Sequence, residues 1–129
     1  MEKDDRITEF VARLNRLTKE NLLKWIRVPE SVLKKEGTDS VYDNLYNTDI
    51  NNREIGIFEE RYREYSPETN SFYWDKRTIL GLFDSRGNLQ YEFRDVPGLI
   101  DLMRTIKYHA AKVDEFLDEF LKEKIKFPE

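Results

Sequence analysis

SFYWDKRTILGLFDSRGNLQYEFRD, residues 71–95, passes from strand period through turn chemistry and back to strand period without a gap. Phe72, Trp74, Thr78, Leu80 and Leu82 share one parity in the first arm. In the second arm Leu89, Tyr91 and Phe93 alternate with Asn88, Gln90, Glu92 and Arg94. Between the arms, Asp84-Ser85-Arg86-Gly87 supplies a carboxylate able to bond nearby backbone and a glycine able to take positive φ, the chemistry of a type I turn with a bulge. The stretch therefore reads as a β-hairpin with one apolar and one wet face.

Upstream, residues 41–50 read as a strand with Tyr42, Tyr46, Thr48 and Ile50 on one parity, and Asn51-Asn52 suits a two-residue hairpin turn. The partner runs from Arg53 to about Tyr65, with Ile55 and Ile57 inward and the EERYRE half solvated, and residues 66–70 form a loop. The pattern predicts a four-stranded antiparallel meander of order 1-2-3-4. Residues 28–40, with Lys34-Lys35-Glu36-Gly37, read as a loop of little order.

Ile7, Phe10, Val11, Leu14 and Leu17 place a first helix over residues 4–20, with Asn21 as a left-handed stop and Val28-Pro29 as the latest possible end. After the hairpin, Asp95 lies near a cap and Pro97 in the first turn of a second helix. Its stripe of Leu99, Leu102, Met103, Ile106, Ala110, Val113, Leu117, Phe120 and Leu121 predicts one helix of roughly 28 residues, about 42 Å long, which should overhang the sheet. The fold class expected is α+β, a single domain over residues 1–129. Both helices should cover one face of the sheet, with Leu80, Leu82, Leu89, Tyr91 and Phe93 packed on Leu99, Met103, Ile106 and Val113.

A chain of 129 residues can bury a real core without staples, and its 13% aromatic content sets it apart from chains that stay disordered. With no cysteine, disulfides, thiolate nucleophiles and Cys-ligated metals are excluded, which fits a reducing, cytoplasmic setting. The charged N-terminus and the lack of a long apolar run argue against a signal peptide or a membrane span. Net charge is −4, and residues 37–95 carry seven basic against twelve acidic side chains, so nucleic acid is not the expected partner of the sheet.

Chemistry-bearing motifs are sparse. His109 is the only histidine and stands at the border of the apolar stripe, where a boundary residue is the plainer reading than a general base. Asp84 lacks the spacing of a calcium loop, and Gly81 reads as a close approach between strand and helix. Phosphate loops, a nucleophile elbow and the zinc-protease helix are absent, so no catalytic residue, cofactor site or metal site is assigned. Phe58, Tyr62, Tyr65, Tyr73 and Phe83, interleaved with Arg53, Arg61, Arg63 and Arg77, fall opposite the inward set and are candidates for binding a protein partner; a cross-strand ladder is the alternative. Phe116 and Phe120, four apart, lie on one side of the last helix with Leu117, Leu121 and Ile125, and this strip suits self-association, with a homodimer as its simplest product.

Leu14 and Thr18, then Trp25, then Leu82, Asp84 and Gly87, and finally Val113, Asp114 and Leu117 give the chain a pattern that resembles a widespread group of small uncharacterised bacterial proteins. That resemblance implies a helix, four-strand meander, long helix arrangement and no particular activity. Small size, an acidic sheet and outward aromatics fit a non-catalytic interaction or regulatory module, of the immunity type, in a bacterium or its mobile elements. The competing expectation is a carboxylate-dependent enzyme or small-ligand binder with a pocket between sheet and helices.

Overall fold

The computed structural model describes residues 5–29, 33, 39–122 and 126–128. In chain order it forms α1 (Asp5–Lys19), β1 (Ile26–Arg27), β2 (Val41–Ile50), β3 (Arg53–Ser66), β4 (Ser71–Phe83), β5 (Leu89–Phe93), α2 (Leu99–Ala110) and α3 (Val113–Leu121). The fold is α+β. Its sheet is antiparallel in the order β1-β2-β3-β4-β5, the expected meander with one two-residue strand added at the β2 edge. Most of the expected loop over residues 28–40 lies outside the described residues. Among the described residues no helix is long and apolar enough to cross a membrane.

Local chemistry sets the boundaries. Asn21 takes φ 61°, and the Leu22 N–H reaches the Leu17 carbonyl while the Asn21 N–H reaches that of Thr18, closing α1 as a Schellman motif. The chain then leaves in extended form, so Trp25 is outside the helix; its Nε1 donates to Thr18 Oγ1 at 3.0 Å, and Thr18 in turn donates to the Leu14 carbonyl at 2.7 Å. Asn51 and Asn52 both have positive φ, 52° and 63°, as a type I′ hairpin turn requires. At the second hairpin, Asp84 Oδ1 accepts from the Arg86 and Asn88 N–H groups at 2.9 Å and Gly87 has φ 82°.

The main core lies between the sheet and the first two helices: Val11 and Leu14 of α1, Leu99, Leu102, Met103 and Ile106 of α2, and Tyr46, Ile55, Ile57 and Leu80 of the sheet. Leu82 and Phe93 pack against it, but two expected sheet members, Leu89 and Tyr91, do not, nor does Val113. An irregularity between Leu82 and Phe83 pairs Leu82 with Tyr91 and Phe83 with Leu89; one extra residue flips the parity and sends Leu89 to the opposite face. Tyr91 keeps the helix-side parity yet is 58% exposed at the sheet edge, resting on Phe93. A second bulge, at Asn44 with φ 55°, does the same in β2, so Tyr42 faces away from Tyr46, Thr48 and Ile50.

The face turned from the helices has its own core of Leu33, Leu45, Phe58, Ile79 and Phe83, flanked by Val28, Tyr42 and Leu89. Gly81 faces this cluster; its close neighbours are Leu89, Phe58 and Phe83 side chains rather than a helix.

The final helix is not continuous. Lys112 adopts φ 53° between α2 and α3, and the Tyr108 hydroxyl, 2.5 Å from Asp114 Oδ1, bridges the break. Gly98, with φ 91°, caps α2, so Pro97 precedes the helix instead of lying in its first turn, and Asp95 is itself at φ 56°. Val113 belongs to α3, none of whose residues is buried. The expected overhang is therefore reversed. At ~1.5 Å per residue α2 covers about 18 Å, whereas the 14 residues of β3 span roughly 47 Å. The hairpin outruns the helices, and residues 61–66 and 71–76 project as a ribbon that is two-stranded beyond the Val41↔Arg61 pair.

Candidate functional site

Twelve paired residues make the ribbon, and cross-strand register fixes which face each one occupies. Arg61↔Lys76, Arg63↔Trp74 and Tyr65↔Phe72 continue the parity of Ile55↔Leu82 and Ile57↔Leu80, so they stand on the helix side of the sheet. Tyr62↔Asp75, Glu64↔Tyr73 and Ser66↔Ser71 continue Phe58↔Ile79 on the other side. The ribbon thus sorts its charges: all three cations lie on one face with three aromatics, and both carboxylates on the other.

On the helix-side face Phe72 is 63% exposed, Trp74 56% and Tyr65 48%. The Arg63 guanidinium lies 5.1 Å from the Phe72 ring centroid, and Tyr65 meets Phe72 edge-on at 5.4 Å. Tyr65 is also held by a hydrogen bond between its hydroxyl and Asn70 Oδ1. Arg61 and Arg63 bond to Asp43 and Asp39 at 2.9 and 2.8 Å, salt bridges at the solvent boundary that orient the guanidinium planes more than they stabilise the fold. The result is a pre-ordered apolar and cationic surface about six residue pairs, roughly 20 Å, long.

The ribbon is anchored at its root by two successive buried carboxylates on opposite faces. Glu59 accepts from Lys107 Nζ of α2 at 2.7 Å, from Lys76 Nζ at 2.9 Å and from Asn44 Nδ2 of the β2 bulge at 2.6 Å. Burial by itself would push its carboxyl up, and these three hydrogen bonds outweigh it, holding the group down at about 2. Glu60 accepts from Arg77, whose Nε lies 2.6 Å away and whose guanidinium stacks 4.3 Å from the Tyr62 ring. Beside it the Tyr42 hydroxyl is pushed up to about 12, first by burial and then by the Glu60 charge and hydrogen bond. Glu59 thereby ties helix, ribbon and bulge together and sets the direction in which the ribbon leaves the body.

The residues expected to bind a partner are dispersed by this geometry. Phe58 is 0% exposed and Phe83 is buried with it in the second core, so neither presents a surface; they face away from the helices as expected, but Leu33 and its neighbours cover them. Tyr62 is half-buried beneath Arg77, and Tyr73 is exposed on the acidic face of the ribbon. Tyr65 is on the helix side, not opposite it. Phe116 and Phe120 are both exposed on α3. Phe72 and Trp74, expected inward, are the surface aromatics that sequence reasoning missed. The signal that could have found them was strand length: from Arg53 only the single Gly56 interrupts the run before Ser66-Pro67, and fourteen residues exceed the roughly 3–10 of an ordinary strand.

Depressions elsewhere are open to solvent. One of about 580 Å³ lies between the β2–β3 and β4–β5 turns, lined by Asp49, Arg53, Glu54 and Asp84 among others; one of about 340 Å³ lies at the ribbon root against Met103, Arg104 and Lys107. Among the described residues no group of three or more His, Asp or Glu is placed to hold a metal ion. His109 is half-buried beside the Tyr108 ring, its centroid 6.0 Å away. Comparison with protein-family models, with curated proteins and with solved structures yields no match.

Proposed function

We propose that the protein is a non-catalytic interaction module, of the regulatory or immunity type, that recognises a protein partner through the helix-side face of its projecting ribbon. The observation that carries this reading is the set Arg61, Arg63, Tyr65, Phe72, Trp74 and Lys76: three exposed aromatics and three cations on one face, with the ribbon's carboxylates on the other. Trp, Tyr and Arg are the residues that dominate binding energy at protein interfaces, and here they are pre-ordered, which lowers the entropic cost of association.

A protein is favoured over nucleic acid because Asp39, Asp43 and Glu59 already neutralise much of the cationic charge, whereas phosphate recognition depends on cations free to replace counterions. The complementary surface is apolar, matched to Tyr65, Phe72 and Trp74.

The test is site-specific photo-crosslinking from position 74 in the native host, alongside Arg63→Glu and Trp74→Ala baits in pull-downs. A defined protein that crosslinks to the ribbon and is lost from both baits is the expected result. Recovery of no protein, together with saturable binding of a metabolite, overturns it.

A further inference from the structure

We infer that the partner of the ribbon binds as an extended antiparallel strand added to the outer edge of β4 over residues 72–79, with every second side chain apolar and turned to the helix side. This rests on the reading of the ribbon as the partner-binding element and states the chemistry of that partner.

Register leaves the edge open. β5 pairs with β4 only at residues 80–83, and among the described residues no strand lies beside the remainder. The two-residue Asn51-Asn52 turn closes on the Ile50↔Arg53 pair, and hydrogen bonding alternates from there: Arg53, Ile55 and Ile57 direct their backbone groups to β2, Gly56, Phe58 and Glu60 theirs to β4. Carried across the pairing, the same alternation turns the N–H and C=O groups of Phe72, Trp74, Lys76 and Thr78 to the open edge. The Lys76 N–H accordingly donates to Asp75 Oδ1 at 2.8 Å, a local acceptor that an added strand replaces. Donor and acceptor pairs at every second residue over about 27 Å match one kind of ligand, another extended chain. An antiparallel strand there continues the meander along the line of β5.

Helix-side side chains of such a strand descend on a groove of about 340 Å³ between β4 and α2, lined by Thr78, Ile100 and Met103 among others. Ile100 is 65% exposed, outside the buried stripe of α2. The four cations around the groove are already engaged, Lys76 and Lys107 by Glu59, Arg77 by Glu60 and Arg104 by Asp101. Apolar surface is what remains to be covered, so the incoming side chains are apolar and not acidic. A second copy of β4 is a poor occupant. In a symmetric antiparallel pair one residue lies opposite itself, and any register of useful length that reaches Thr78 centres on Asp75, Lys76 or Arg77, setting like charges face to face.

The experiment takes the whole chain and, as probe, a capped peptide of about eight residues alternating valine with serine, uncharged so that only backbone and apolar contacts are read. Binding is followed by amide hydrogen exchange. Saturable binding is expected, with the Trp74 and Thr78 N–H groups exchanging about tenfold or more slowly in the complex and those of Tyr73 and Arg77, which face β3, changing less. N-methylation of the valines, which removes the donors facing β4, should abolish binding, whereas N-methylation of the serines should leave it. Ile100→Asp should weaken binding about tenfold without unfolding the chain, since the position is exposed. No saturable binding, equal loss from either N-methylated peptide, or protection of the same amides by raised protein concentration alone each overturn the proposal, the last by assigning the edge to a second copy. A partner that crosslinks from position 74 while the Trp74 and Thr78 amides still exchange freely removes strand addition and leaves the ribbon reading standing; peptide binding with the expected pattern and no recovered partner does the reverse.

Discussion

Gly56 and Gly81 stand directly opposite one another in β3 and β4, and the ring of Phe83 lies against both. A Cβ on Gly56 would fall 2.7 Å from Phe83 Cε2 and collide with the amide oxygen of Asn47, a short buried side chain tied to Glu54 at 2.6 Å. A Cβ on Gly81 would meet the far end of Leu89 at 2.6 Å and Phe83 only at 3.5 Å. Rigid neighbours surround one glycine and a movable one the other. Gly56→Ala is therefore expected to destabilise by ~1–3 kcal/mol and Gly81→Ala by less, read as shifts in guanidinium midpoint. Equal effects would show that Phe83 is not seated over the pair.

Acid should weaken the root of the ribbon, where Glu59 ties α2, the β2 bulge and Lys76 together. The Glu59 carboxyl sits at about 2 in the folded chain against an ordinary 4.5, so its contribution is complete above the ordinary value and is lost as pH falls from there toward 2. Allowing for the solvent contact of Lys76 and Lys107, that contribution is on the order of 1–3 kcal/mol. Urea midpoints measured across this window should fall steeply in wild type and more gently in Glu59→Gln. Parallel slopes would assign the acid limb to other carboxylates.

Trp74 and Leu80 share a parity in β4 and should behave as opposites. Leu80 is fully buried, and Leu80→Ala is expected to cost ~2–5 kcal/mol through lost burial and the cavity left behind. Trp74 lies beyond the helices, and Trp74→Ala should change stability by no more than about 0.5 kcal/mol while abolishing recovery of a partner in pull-downs. A large loss of stability in Trp74→Ala would make the residue structural.

The Trp25 indole gives a third contrast. Trp25→Phe keeps most of the packing and deletes the donor to Thr18 Oγ1, and it is expected to cost ~0.5–1.5 kcal/mol. Thr18→Val also deletes the bond to the Leu14 carbonyl and should cost somewhat more, and the double variant little more than Thr18→Val alone, because the Trp25 bond is already lost in it. Additive losses in thermal denaturation would break that link.

Turn chemistry and strand period made the meander legible: the Asn51-Asn52 turn, the Asp84–Gly87 turn, the Asn21 stop and the inward Ile55, Ile57 and Leu80 all follow from local rules. Three kinds of information are not local. Bulges at Asn44 and after Leu82 invert parity from a single residue onward, and nothing in the residues either side announces them. The break at Lys112 interrupts a hydrophobic stripe that continues through it in sequence. Cover on the second face comes from Leu33 and Val28, distant in sequence from Phe58 and Phe83, so their surroundings could not be read from their own strands. The candidate face was hidden by a fourth effect: counted along the chain the sheet is acidic, yet alternation gathers its ribbon cations on one side.

Because β5 pairs only with residues 80–83, the outer edge of β4 over residues 71–79 has no strand beside it among the described residues. Such an edge is a template on which an identical strand can add, and SFYW supplies the aromatic, uncharged opening that fibrils favour. Asp75, Lys76 and Arg77 interrupt it with one acid and two bases at the middle of the exposed run, where stacking in register would bring each charge against its own kind. Those three residues thus suit the part of gatekeepers, letting a long ribbon remain exposed without becoming a seed for polymerisation. The length that carries the aromatic face out beyond the helices is thus matched by a central triplet that resists self-stacking.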